Sequence, residues 1–218
     1  MKKFHLFLSF IALILCSCSE TDEQWDPYYN WEARNVEWFE QVADTARTSI
    51  SEAKALFGEQ WEEHCDWRMF KTYMKAADVQ GPLTDSICVR ILSRGQGAMS
   101  PCYNDSVRIN FRGWIMPTEY MDDAGKLSTS QSVFSQTYYG TYNPLTAAPQ
   151  VLCVNGTVEG FCTALQYMVE GDDWLVYIPQ QMAYGSAASS TIPAYSTLLF
   201  RISLIGVYEN GSGVPDWK

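Results

Sequence analysis

Few residues in this 218-residue chain are equipped for acid–base or metal chemistry. Its two histidines are His5 and His64. His5 lies in an apolar leader, so a histidine triad or a zinc site would have to be built on His64 alone. His64-Cys65 follows Glu62-Glu63, which matches no metal-ligand spacing and reads as a solvated helix face. No metal and no cofactor are expected. Cys65, Cys88, Cys102, Cys153 and Cys162 contain no CxxC pair, which argues against dithiol redox catalysis. Cys88, Cys153 and Cys162 fall on apolar runs and are expected to be buried thiols. Gly95-Gln96-Gly97 opens no helix-forming run, so it is not a phosphate loop. Tyr184, Ile192, Pro193 and Phe200 flank a small-residue loop, Gly185 to Thr191. Bulky groups around such a loop can wall an apolar pocket, or can equally be core residues of a sheet; spacing alone leaves both open.

The elements that must position these residues are legible around them. Phe161, Ala164, Leu165 and Met168 recur at helical spacing, and Gly171-Asp172-Asp173 stops that helix in a turn. Trp174 to Ile178 reads as a strand broken by Pro179, and Thr197 to Ile205 as a second. Upstream, Ser86 to Leu92 alternates as a strand and Ser93 to Gly97 is a turn. Ser106 to Trp114 is a strand with Val107, Ile109 and Phe111 on one face, and Pro149 to Val154 holds a short one. Ahead of these, Trp31 to Phe57 reads as a helix between Pro27 and Gly58, with Trp31, Arg34-Asn35, Trp38-Phe39, Val42, Ala46 and Ile50 recurring at three and four. The segment from Trp61 to Tyr73 is readable as helix or strand. Left alone, so tryptophan-rich a helix would expose a large apolar patch, which favours its packing on the main domain.

With 47% hydrophobic and 18% charged residues, the composition is globular. The net charge of -10 repels phosphate backbones and makes nucleic acid an unsuitable partner. Lys2 and Lys3 precede an apolar run from Phe4 to Leu15, too short to span a membrane and flanked like a secretory signal. Leu15-Cys16-Ser17-Cys18 looks like a bacterial lipobox in which Cys18 is lipidated after residues 1–17 are removed. The acidic run Ser19 to Glu23 is either a solvated tether or resembles an export signal of surface lipoproteins. The expected location is therefore the cell envelope, with a lipid anchor in a membrane and the rest of the chain soluble.

Several ordered motifs carry a resemblance to a known family. Thr157-Val158-Glu159-Gly160-Phe161, Met168 to Gly171, Ile178 to Gly185 and Ile192 to Phe200 follow one another as in the carboxy-terminal half of FKBP-type peptidyl-prolyl isomerases. Ser106 to Gly113 resembles that family's Val-x-Val-x-Tyr-x-Gly strand. The resemblance covers Ser86 to Tyr208 and implies an α+β fold: a half-open antiparallel β-sheet wrapped on a short α-helix, here with an N-terminal helical extension. The domain division it suggests is a signal at 1–17, tether and extension at 18–81, an FKBP-like domain at 82–210 with its boundary at Gly81-Pro82, and a tail at 211–218.

The resemblance implies rotamase activity on proline-containing clients, in support of protein folding. It gives Tyr184 a hydroxyl for a substrate carbonyl, Phe161 the pocket floor and Val158 an exposed backbone N–H. Phe111, Phe134, Ile192 and Phe200 would form the walls. Three positions depart from the family: Phe161 stands for Trp, Phe111 for Tyr, and Ser135, after Phe134, for Asp. Those departures keep open a second reading, a non-catalytic peptide-binding or chaperone module of an envelope complex. A third is a structural component of a surface complex. Relatives outside the cytoplasm pair through such extensions, so an oligomer formed through the helix is also implied.

Overall fold

The computed structural model describes residues 25–76 and 81–217. The expected leader and Cys18 lie outside them. Helix α1 (Trp31–Phe57) leads into a one-turn α2 (Trp61–His64) and strand β1 (Trp67–Lys71). Then come β2 (Ser86–Ser93), β3 (Ser106–Ile115), the hairpin β4 (Thr118–Met121) and β5 (Leu127–Ser130), β6 (Val133–Gln136) and β7 (Gln150–Cys153). Helix α3 (Glu159–Tyr167), β8 (Asp173–Ile178) and β9 (Leu198–Tyr208) complete the order.

Seven strands form one antiparallel sheet in the order β1-β2-β8-β9-β3-β6, with β7 also paired to β3. β7 takes the Ser106–Ile109 half of that edge of β3 and β6 the Arg112–Trp114 half. Strand alternation sends side chains to two faces. On the inner face, Ile87, Val89, Ile109, Val176 and Ile202 pack around Phe161, Leu165 and Met168 at α3, all buried. On the outer face, Cys88 meets Phe39 and Ala43 of α1, with Met69, Leu83 and Tyr177 around them. Trp38 completes this layer edge-on to Tyr177, with ring centroids 5.8 Å apart.

The extension helix therefore buries its apolar stripe on its own sheet. It begins after Asn30 in a left-handed conformation and stops at Gly58, whose φ of 56° suits a residue without a Cβ. The Trp61–Tyr73 stretch turns out to be both things its sequence allowed, a helical turn and then a strand. β1 lies ahead of the expected boundary at Gly81-Pro82, so the sheet's first edge strand comes from the stretch assigned to the extension. The stretch between β3 and β6 holds the β4–β5 hairpin. Asp122 closes its turn by accepting from the backbone N–H groups of Ala124 (3.0 Å) and Lys126 (2.9 Å). Trp25 Nε1 donates to the Glu119 carbonyl of this hairpin at 2.9 Å.

Two cysteine expectations fail. Cys153 is exposed, because β7 is an edge strand whose alternate residues face solvent. Cys65 is not on a solvated helix face: it is buried just past α2, while His64 remains exposed and stacks on Phe57 at 4.0 Å. Cys88 and Cys162 are buried as expected, and burial pushes their thiols up to about 12 and about 11. Since the thiolate is the reactive form, brief alkylation of the folded protein at pH 8 should modify Cys102 and Cys153 and spare Cys65, Cys88 and Cys162. Peptide mass mapping checks this; rapid labelling of Cys88 would contradict the packing of α1 on the sheet.

Candidate ligand pocket

The pocket is built where α3 points into the open side of the sheet. Gly160 makes this possible, because a Cβ there would lie 2.3 Å from Ile178 Cγ2. No side chain fits, so the first turn of α3 rests directly on β8 and Phe161 projects inward beside it. Gly113 plays the matching part on β3: a Cβ would fall 2.6 Å from Phe200 Cε1 and 2.7 Å from Phe134 Cζ.

Four phenyl rings consequently meet in one cluster. Phe161 and Phe200 are edge-to-face with centroids 4.8 Å apart, as are Phe134 and Phe200 at 5.3 Å and Phe111 and Phe161 at 6.0 Å. Edge-to-face contacts set the positive ring edge on the negative ring face, which fixes orientation as well as distance. Above this floor opens a cavity of about 630 Å³. Its lining includes Phe111, Phe134, Val158, Phe161, Tyr184, Ile192 and Phe200, so all seven residues expected from sequence are brought together. Pro193, which flanks the same loop, is not among the lining residues.

Apart from Ser135, the rest of the lining was not singled out from the sequence. Leu152 of β7 contributes the one inward side chain of that strand, and Ala187, Ala188, Ser189 and Thr191 come from the loop after Tyr184. A faint signal existed for Leu152 in the apolar pair Val151-Leu152, but nothing marked which of the two faced inward. Ser135 does line the pocket, beside Phe134.

The loop is ordered by its own backbone and side chains. Tyr195 N donates to Gly185 O (2.7 Å), Ser189 N to Ile192 O (2.8 Å) and Ile192 N to Ser189 Oγ (3.1 Å). Tyr184 stands at the rim, 48% exposed, with its hydroxyl free to meet a ligand polar group. Val158 is the N-cap of α3, a position whose N–H has no partner inside the helix. No lining residue carries a charge, although the whole chain has a net charge of -10. Among the described residues no cluster of His, Cys, Asp and Glu could hold a metal ion.

The architecture is thus a half-open antiparallel sheet wrapped on one short helix, with an uncharged aromatic-lined cavity at the helix start. The profile of the FKBP-type peptidyl-prolyl cis-trans isomerases matches residues 97–205, half of the sequence, and the chain belongs to that family. A macrophage infectivity potentiator of Trypanosoma cruzi is 26% identical over 147 residues, 67% of this chain and 65% of the relative. An FKBP-type 22 kDa peptidyl-prolyl cis-trans isomerase of Escherichia coli is 29% identical over 119 residues, 54% of this chain and 48% of the relative. The chain thus spans between about half and two thirds of these relatives' lengths. Among solved structures, a peptidyl-prolyl cis-trans isomerase from Pseudomonas syringae is similar at 24% identity and a TM-score of 0.44, over 78% of this chain and 96% of that one.

Because Gly113 leaves no room for a methyl group, Gly113→Ala should push the Phe134 and Phe200 rings apart. Overpacking of this kind costs about 1–3 kcal/mol. Urea denaturation should show that loss, with a narrowed pocket in a crystal structure of the variant. Unchanged stability together with an unchanged ring cluster would refute the argument.

Proposed function

We propose that this protein is a peptidyl-prolyl cis-trans isomerase that assists the folding of exported proteins. The observation that supports this best is the uncharged aromatic box with a single tyrosine hydroxyl at its rim. Rotation of an X-Pro amide crosses a barrier of ~18–20 kcal/mol and takes tens to hundreds of seconds, roughly, without help. The reaction makes and breaks no covalent bond, so neither a nucleophile nor a proton relay is needed. As the amide twists, its resonance is lost and its carbonyl becomes less polar. A site that excludes water from the planar amide therefore destabilises the ground state more than the twisted one. The phenyl groups of Phe161, Phe200, Phe111 and Phe134 would receive the proline ring. Tyr184 Oη would donate to a substrate carbonyl and hold it while the amide turns. The Val158 N–H, at the start of α3, would bind a neighbouring carbonyl of the client.

In the same reading the chain is held at a membrane of the cell envelope by a lipid on Cys18. No helix among the described residues is long and apolar enough to cross a membrane. The absence of a carboxylate from the lining supports one rival, peptide binding without turnover on the same scaffold.

A protease-free assay on an X-Pro peptide separates the two. Turnover above the buffer rate, reduced about tenfold in Tyr184→Phe by loss of one transition-state hydrogen bond, is expected. A folded protein that binds the peptide but gives no rate above buffer would remove the isomerase reading. Since no acid, base, thiol or imidazole lines the pocket, catalysis should be flat between about pH 6 and pH 8; a bell-shaped profile would point to a titrating group instead. For the anchor, Cys18→Ala should move the protein from the membrane to the soluble fraction and abolish incorporation of labelled palmitate.

A further inference from the structure

We infer that Trp31 and Asn35, in the first turns of the extension helix, are positioning residues that hold the Ile192–Phe200 wall of the pocket. The inference rests on the isomerase reading for its kinetic consequence and on geometry alone for its structural one. Between Ile192 and Phe200 the chain makes a turn through Tyr195, a non-glycine residue with φ of 62°. Bulky side chains resist this left-handed conformation, and it persists only where surrounding contacts over-determine it. Inside the loop, the Tyr195 N–H donates to Gly185 O at 2.7 Å; the contacts from outside it come from α1.

Trp31 Nε1 donates to Ser196 Oγ at 2.9 Å, and Ser196 Oγ donates in turn to Pro193 O at 2.7 Å. One step further, the Thr197 backbone N–H donates to Asn35 Oδ1 at 2.8 Å, and Thr197 Oγ1 donates to Asn35 O at 3.2 Å. Asn35 Nδ2 donates to Trp31 O at 2.8 Å, which ties the two residues to each other. Trp31, Asn35, Ser196 and Thr197 are all buried, so water cannot replace a lost bond.

This arrangement accounts for an oddity of α1. Asn35 lies between Trp31 and Phe39 in the helix's buried stripe, fully buried, where an apolar residue would serve packing better. Its amide is used on both sides, and its carbonyl oxygen meets the N–H at the base of β9. The extension therefore acts on the pocket through the Pro193–Thr197 turn, without touching a ligand. Releasing that turn lets the wall sample closed or splayed forms. Apparent affinity then falls by the fraction of time the wall is out of place, while chemistry in the assembled pocket is unaltered.

The test uses the full chain with three changes: Ser196→Ala, which removes both hydroxyl bonds; Ser196→Thr, which keeps a hydroxyl; and Trp31→Phe, which keeps a ring but no donor. Hydrogen exchange is read without substrate, and peptide isomerisation with it. Ser196→Ala and Trp31→Phe should speed exchange about tenfold at residues 185–197, with α3 and β2 unaffected. KM should rise about fivefold with kcat within about twofold of the parent, and Ser196→Thr should restore both. Unchanged exchange at 185–197, a uniform loss of protection throughout the domain, or no rescue by threonine would each overturn the inference. A parent chain without turnover would defeat the isomerase reading alone. The exchange pattern would still decide on the brace.

Discussion

The close approach of α3 to the sheet at Gly160 and Ile178 is the constraint on which the rest depends. A helix normally stands off a sheet by the depth of its side chains. Here one position has none, and the backbone of the first helical turn lies within van der Waals reach of an isoleucine branch. That contact tilts the helix start into the sheet, lowers Phe161 to the level of Phe200, and leaves the Val158 end of the helix facing the opening. A larger residue at that point would raise the helix and fill the space that the pocket now occupies.

Covering the sheet's other face is what allows the inner face to remain open. A sheet with both faces wet would lose much of the burial that holds it together. The protein covers its outer face with two different devices. Helix α1 lies over β1, β2 and β8 with Phe39, Ala43 and Trp38. Beyond it, Tyr138 and Tyr142 follow β6 onto β9, where Tyr142 stacks beneath the guanidinium of Arg201 at 5.0 Å. Arg201 is itself held by both carboxylate oxygens of Asp173, the nearest at 2.6 Å. Charge is thus kept on the outer face and solvent, and the inner face presents phenyl rings, small aliphatic groups and hydroxyls.

That separation matters for chemistry without covalent change. In the proposed isomerase, rate enhancement has to come from how differently the site treats the planar and the twisted amide. With Ser135 and Phe111 in its lining and no charged side chain, the pocket lies close to the apolar limit. On that proposal, orientation of the substrate falls to the rim, where Tyr184 and the helix start stand. The extension joins this logic because its first turns fasten the rim loop from behind.

Much of the fold was legible before any coordinates. Periodicity marked α1 and its end at Gly58, the turn after α3, and the strands that became β2, β3, β8 and β9. Val158, Phe161, Tyr184, Ile192 and Phe200, spread over several ordered motifs, line one cavity. The hairpin β4–β5 and strand β6 were hidden, because polar four-residue strands have too short a period to stand out. Cys153 was misplaced because an apolar run does not reveal that its strand is an edge.

Local pattern therefore determined most of the segments that are helix or strand and which bulky residues flank the small-residue loop. Only the tertiary structure decided which faces of those segments meet. Burial of α1 on the outer face, the inward turn of Leu152 and the buried bonds of Asn35 to Thr197 join residues far apart in the chain. Such contacts have no signature at short spacing. They exist because each polar group taken out of water must find a partner, and the chain's packing alone determines where that partner is.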